Sequence, residues 1–373
     1  MVALAGLAVG AVGTAARACE GPSSEDLAAD DAGRSHTYPG GAPPKLGRRE
    51  RRQFEAWLND VRREAREAGV SARTVEAALK GLAPLPAVKE LDRSQPEYTL
   101  TTREYLDRQA VYTLRLQNGL REGANVRPLL QELQDKYGVA RAVIAAVWGV
   151  ESAYGRIQGS YAVVPALVTL AYDSTSERRA AYFRRELVRA LAILDRGHSP
   201  LRAFTGSWAG AMGQCQFMPS SFEAYAVDHD GDGKKDIWRS RPDALASIAN
   251  YLEAHGWRAG ECIGERVLVP QHLRGVELPD DERRAASQWH ASGLRPLSSK
   301  EAPDGGAEAP LVLPAAMECN LLRPDGLNAE EGYLACRNFD VLKRYNASTL
   351  YAISVAELAD GLESSDVLER VPL

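Results

Sequence analysis

Long apolar runs are scarce in this chain of 373 residues, and the N-terminal one, Met1 to Ala16, is too short to span a bilayer securely. No basic stripe interleaved with aromatics runs along it, and the formal net charge is -5, which argues against a general polyanion binder and against nucleic acid as a ligand. The histidines, His229 and His255 among them, lack zinc-ligand spacing. No internal repeat is evident, which excludes a solenoid. Cysteine is sparse, which is compatible with an oxidising compartment without proving one. Beyond Cys19 there are Cys215, Cys262, Cys319 and Cys336, a set that permits three pairings. Cys319 with Cys336 closes a short loop and is the first expectation; Cys215 either pairs or stays free. No histidine is placed beside Cys215 to make a catalytic pair.

What is present suffices for an ample core: 45% of the residues are hydrophobic and 25% charged, enough for one large or two to three small domains. Residues 1–18 read as an export signal, with Ala16-Arg17-Ala18 resembling a cleavage site, although a positive n-region is missing. Cys19 offers lipidation as an alternative, against which Arg17 departs from the usual small-residue box. Residues 19–47 are rich in Pro, Gly, Ala, Ser and Asp and read as a flexible linker. Helical periodicity dominates 48–145, where Phe54, Trp57, Leu58 and Val61 share a face, and returns over Ser176 to Gly197. A core is assigned to 146–258, a small β-rich insertion to 259–317, where VLVP and GVELP stand, and a C-terminal helical part to 318–373.

Glu151 is a lone carboxylate at the end of an almost wholly apolar run, Val139 to Val150. The run reads as a buried helix. Loss of hydration, the partial negative charge of a helix C-terminus and a shortage of nearby cations all raise a carboxyl pKa there. A carboxylic acid protonated near neutral pH is what general-acid chemistry needs. The plainer alternative is a Glu capping an exposed helix end. Glu151 opens ESAYGR, in which Gly155 suits a helix stop, so the carboxyl sits where a helix meets a loop.

The segment Gly206 to Phe222, GSWAGAMGQCQFMPSSF, reads as a groove wall. Its glycines admit a ligand close to the backbone, Trp208 and Phe217 offer flat faces, and Ser207, Gln214 and Gln216 offer uncharged hydrogen bonds, a mixture that fits a sugar chain. A glycine-rich loop over buried aromatics is the plainer reading. Asp228 to Asp236, DHDGDGKKD, then matches the first nine places of an EF-hand loop: Asp228, Asp230, Asp232, Gly233 for the turn, the Lys234 carbonyl and Asp236. The twelfth place is Arg239, so an expanded loop closed by Asp243 is expected. The alternative is an acidic turn before a helix cap, in which four like charges would repel without a cation.

GVESAYGR, GSWAGAMGQCQFMPSSF, the modified calcium loop and IANYLEAHGW, in this order, resemble the lytic murein transglycosylase B family over roughly Arg48 to Leu362. The resemblance implies a mainly α (α+β) fold with a lysozyme-like catalytic core, a helical flanking domain and a small β-rich insertion. It implies peptidoglycan glycan strands as substrate, no cofactor for catalysis, a structural Ca2+, a monomer and a periplasmic location, an outer-membrane lipoprotein if Cys19 is lipidated. In the family the Glu of the first motif is the sole acid/base, which carries onto Glu151. Groove contacts carry onto Ser207, Gln216 and Phe217, and calcium ligands onto Asp228, Asp230, Asp232, Lys234 and Asp243. Tyr105, Tyr251, Tyr345 and Asn346 look like distal groove residues. Arg178 and Arg179 match a basic pair that faces the substrate's peptide or lactyl carboxylates.

Most glycosidases use two carboxylates about 5 to 9.5 Å apart. The groove segment supplies none, and Asp173, Glu177, Glu186 and Asp195 sit in patterns that look solvated. The family instead uses the muramic acid 6-hydroxyl as nucleophile and releases a 1,6-anhydro end. A hydrolytic muramidase would need a water-activating group that the sequence does not offer, and a non-catalytic peptidoglycan-binding scaffold would not need an acid at position 151.

Overall fold

The structure, a computed structural model, describes residues 45–93, 101–102, 104–105, 111–174, 176–279, 282–298 and 311–365. The expected export signal, the tether up to residue 44 and Cys19 lie outside the described residues. Helices come first in chain order: α1 (Arg48–Glu67), α2 (Ala72–Leu79), α3 (Pro86–Arg93), α4 (Val111–Asn125), α5 (Arg127–Tyr137) and α6 (Arg141–Ser152). A short strand β1 (Tyr161–Ala162) then leads into α7 (Val163–Asp173) and α8 (Glu177–Asp195), followed by β2 (Thr205–Gly206), α9 (Pro219–Tyr225) and α10 (Arg241–Ala254). The remainder is β3 (Gly264–Leu268), β4 (Arg284–Ala285), α11 (Ala286–Ala291), β5 (Arg295–Pro296), β6 (Glu318–Leu322), β7 (Glu331–Ala335), α12 (Arg337–Tyr345) and α13 (Thr349–Ser364). The mainly helical α+β class is as expected.

The chain divides into two compact units. The described residues of the smaller fall within Leu4–Gln95 and Gly159–Ala211, and those of the larger within Pro96–Gln158 and Met212–Leu373. In the smaller unit α1 buries Phe54, Leu58, Val61 and Ala65, the period expected of an amphipathic helix, while α7 is buried along most of its length. Asp195, at the end of α8, accepts hydrogen bonds from the Ser71 backbone and the Thr74 hydroxyl and so fixes the N-terminus of α2.

In the larger unit α6 is the central helix, buried from Ala142 to Gly149, and α4, α5, α10 and α13 pack around it. It ends two residues earlier than the sequence suggests. Ala153, not Gly155, is the left-handed residue that closes it, and its N–H reaches the carbonyls of Gly149 and Trp148.

The β layer is an antiparallel sheet in the order β4-β6-β7-β3-β5. It corrects the boundary expected at residue 317: β6 and β7 lie beyond it, and helix resumes only at Arg337. The expected Cys319–Cys336 disulfide staples the ends of β6 and β7, while Cys215 and Cys262 are free. Trp289 fills the layer's core and its indole donates to the Cys319 carbonyl at 2.8 Å.

Candidate active site

Glu151 occupies the last turn of α6 in the larger unit and is half-buried. Burial of its carboxyl raises the pKa to about 7, while Tyr351 of α13 and the Arg115 guanidinium of α4 pull it back down. The expected shortage of cations is therefore corrected. Arg115 opposes the shift, and desolvation alone outweighs it. Tyr351 is itself buried, at 4% exposure; its hydroxyl lies beside the carboxyl, yet no described group completes an ordinary hydrogen bond to it. Neither Arg115 nor Tyr351 is distinguished in the sequence, since each is one residue on a helical face and becomes a neighbour of Glu151 only when α4 and α13 close on α6.

The loop behind the acid is conformationally unusual. Ala153 and Tyr154 have φ of 49° and 63°, before Gly155 at 82°. Left-handed backbone costs an L-residue about 1–2 kcal/mol. Ser152 repays part of this by accepting Gly155 N–H on its hydroxyl and Ile157 N–H on its carbonyl. Arg156 then pairs with buried Glu122 of α4, which also pairs with Arg241 at the start of α10.

Of the groove segment, Met212 to Phe222 belongs to the larger unit. Met212 and Phe217 exchange backbone hydrogen bonds, and Gln216 between them has φ of 51°. Gln216 is half-buried and its amide nitrogen donates to the Gln158 and Gly213 carbonyls. Gln214 is corrected from ligand contact to internal strut. It is 3% exposed, accepts from the Trp148 indole and donates to the Trp238 carbonyl. Phe217 is likewise enclosed, at 2% exposure, with rings of Tyr251 and Tyr345 at 5.5 and 5.7 Å, so it shapes the wall from behind rather than offering a face.

Tyr251 and Tyr345 also spend their hydroxyls internally, donating to the Arg344 and Cys215 carbonyls, both at 2.7 Å. Burial pushes the Tyr251 phenol up to about 12. Asn346 accepts the Ser348 N–H. Tyr105 is half-buried and acts on Arg115 and Tyr351, the two groups that lower the Glu151 pKa.

Ser207, Arg178 and Arg179 belong to the smaller unit. The Ser207 hydroxyl accepts the Ala211 N–H. Arg178 is exposed, whereas Arg179 is half-buried, pairs with Asp92 and lies over the Phe183 ring, so one member of the basic pair already has an anion. Of the other carboxylates weighed from sequence, Glu177 is exposed as expected, whereas Asp173 pairs with Lys89 and Glu186 is 2% exposed beside Arg189.

In the acidic loop, carboxylate oxygens of Asp228, Asp230 and Asp232 lie within 4.8 Å of one another. The same carboxylates accept loop N–H groups: Asp228 from Gly231 and Gly233, Asp230 from Asp232, and Asp232 from Lys234. Asp243 stands apart from that triad. Fully buried in the first turn of α10, it accepts the N–H groups of His229, Asp230 and Asp236 and so ties the loop down.

Residues 53–360 match the family described as Transglycosylase SLT domain. The membrane-bound lytic murein transglycosylase B of Escherichia coli (strain K12) is 35% identical over 248 residues, 66% of this chain and 63% of that protein; the match therefore spans less than two thirds of the relative's length. The crystal structure of SltB3 from Pseudomonas aeruginosa in complex with NAG-anhNAM-pentapeptide superposes with a TM-score of 0.73 at 38% identity, covering 83% of this chain and 79% of that one. Escherichia coli Slt35 in complex with calcium gives a TM-score of 0.66 at 29% identity, covering 85% and 93%.

Proposed function

This chain belongs to the transglycosylase SLT domain family, and from that premise we propose that it is a peptidoglycan lytic transglycosylase that cleaves the MurNAc-β-1,4-GlcNAc bond and leaves 1,6-anhydro-MurNAc ends. The observation that carries the reading is Glu151. Its carboxyl holds a proton up to about pH 7, and the side chains acting on it are Tyr351 and Arg115, with no carboxylate among them. A lone acid can protonate the glycosidic oxygen. As a carboxylate, favoured by Arg115 and Tyr351, it can then take the proton of the muramic acid 6-hydroxyl, which attacks C1 from within the substrate. With no second carboxylate acting on Glu151 among the described residues, that internal attack is the route favoured. Gln216, through its amide oxygen, and Ser207 are the polar groups proposed to meet the glycan, and Arg178 the cation for its carboxylates.

The acidic loop fits a hard cation. Asp228, Asp230 and Asp232 gather oxygen ligands in small space, and the backbone N–H bonds they accept hold those oxygens in place. Together with the Lys234 carbonyl they are proposed to hold Ca2+, with Asp243 securing the loop from α10. The ion would add stability and take no part in bond cleavage. The chain is proposed to act as an exported monomer in the periplasm; among the described residues no helix is long and apolar enough to cross a membrane.

Digestion of purified sacculi in oxygen-18 water tests the reaction. The expected muropeptides carry no label at the muramic acid terminus and are about 18 mass units lighter than hydrolysed ones, because no water enters the product. Label at that terminus with growth of reducing ends would establish a muramidase instead.

A further inference from the structure

Tyr154, three residues beyond the acid, sits in a slot that glycines create. Its ring is 3% exposed and meets Trp148 edge-on at 5.3 Å. A Cβ at Gly149 of α6 would stand 2.5 Å from that ring, and one at Gly119 of α4 would stand 2.2 Å from its hydroxyl. Neither glycine has positive φ, so space is what each supplies. From the slot the hydroxyl donates to the Arg115 carbonyl of α4 at 2.9 Å. A ring that merely filled the core would need neither a left-handed backbone nor a bond to a carbonyl inside another helix.

We propose that Tyr154 is a positioning residue for the glycan-cleaving reaction: it ties the loop behind the acid to α4 at Arg115 and so keeps the Arg115 guanidinium beside Glu151. The inference rests on the reading of Glu151 as acid/base. Arg115 from α4, Tyr351 from α13, Tyr345 from α12 and Cys215 from the groove segment interact electrostatically with Glu151, and α5 and α10 add no described group that acts on it. Arg115 is the one cation in that set. It favours the carboxylate, the form that must take up the substrate's proton in the second half of the reaction. A hydroxyl tie to the backbone of the same residue fixes how near that cation can come.

Tyr154→Phe keeps the ring in its slot and removes only the tie. If Arg115 then recedes, Glu151 holds its proton more tightly, so the alkaline limb of the kcat pH profile should move up by about half a unit, with kcat down about tenfold and KM unchanged. Arg115→Met should move the same limb in the same direction, and the double variant should move it little further, as expected of two residues acting through one contact. An unmoved limb in Tyr154→Phe, or shifts that add in the double variant, would overturn the proposal, even if kcat fell. Arg115→Met gives an independent reading should Tyr154→Phe melt at lower temperature. Glu151→Gln in the same assay separates the levels. If it retains turnover, the acid/base assignment fails; if it is inactive while Tyr154→Phe keeps the wild-type limb, only the positioning role fails.

Discussion

The acid loop and the acidic loop, both in the larger unit, put carboxylates to opposite uses. Glu151 is surrounded by groups distant in sequence, Arg115 and Tyr351, and burial holds its carboxyl neutral into the physiological range. Asp228, Asp230 and Asp232 are neighbours in sequence, lie at the surface or half-buried, and draw their hydrogen bonds from their own loop and, for Asp230, from the Ser240 hydroxyl just before α10. A neutral acid needs a dry place that only tertiary packing makes. A cation cradle needs anions at fixed spacing, which a glycine-punctuated loop makes locally. Glu122 joins the two regions, through Arg156 on one side and Arg241 on the other.

The largest expected effect strikes the first region alone. Glu151→Gln should cost turnover at least the roughly 100- to 10,000-fold typical of an obligatory acid/base, with glycan binding kept. The sign of its stability effect sharpens the contrast. A carboxyl raised from 4.5 to about 7 on folding stabilises the fold at acidic pH and loses that contribution as pH rises through this window. The Gln variant should therefore melt above wild type at pH 8 and lose that advantage at pH 4. A variant equally destabilised at both pH values would show that Glu151 is not held in a dry site.

Cation addition should act on the second region. A cation that binds only the folded chain adds about 2.7 kcal/mol at about 100 times its dissociation constant, readable as a melting shift between calcium and chelator. Asp232→Ala should erase the shift while chelated protein melts unchanged. If stripped protein melts identically with and without calcium, the loop is only an acidic turn.

Glu122→Gln tests the join. Glu122 is buried, and its bonds to Arg156 and Arg241 hold its pKa below the ordinary carboxyl value against the opposing pull of burial. A depressed pKa contributes stability above the unfolded value of 4.5 that is lost as pH falls through the folded one. The substitution should cost about 1–3 kcal/mol at pH 7, because both arginines are partly exposed and water takes over some of the loss. That cost should shrink toward pH 3. A cost independent of pH would mean the charge does not matter.

The smallest effect is expected at Gln216→Gly. Relieving the left-handed strain should return about 1 kcal/mol of stability, offset in part by lost amide bonds, while KM for glycan rises and kcat is little changed. An unaltered KM would remove Gln216 from the ligand side of the groove.

The acidic loop was legible because its ligands repeat at intervals of two residues and its turn carries Gly233. Glu151 was legible because an apolar run ends on it. Gln214, Phe217 and Tyr251 look like ligand groups by residue type, yet each is buried with its polar atoms or ring face committed to the protein. Residue type states what a side chain can bond, and packing decides to what. The extra strands β6 and β7 were not legible for a related reason: β7 pairs with β3 across a gap of about sixty residues and β6 adds to β7, and no local period announces either partner.

By itself the sequence determined the helical periods, the carboxylate at the end of a buried helix, the spacing of the acidic loop and the short-loop disulfide, since each is written in residues a few places apart. Only the tertiary structure decided that burial would outweigh Arg115 at Glu151, that Tyr351 would face it and that Tyr154 would reach across a glycine slot to α4. Those outcomes depend on how closely helices far apart in the chain approach, and desolvation and hydrogen-bond geometry change steeply over such distances.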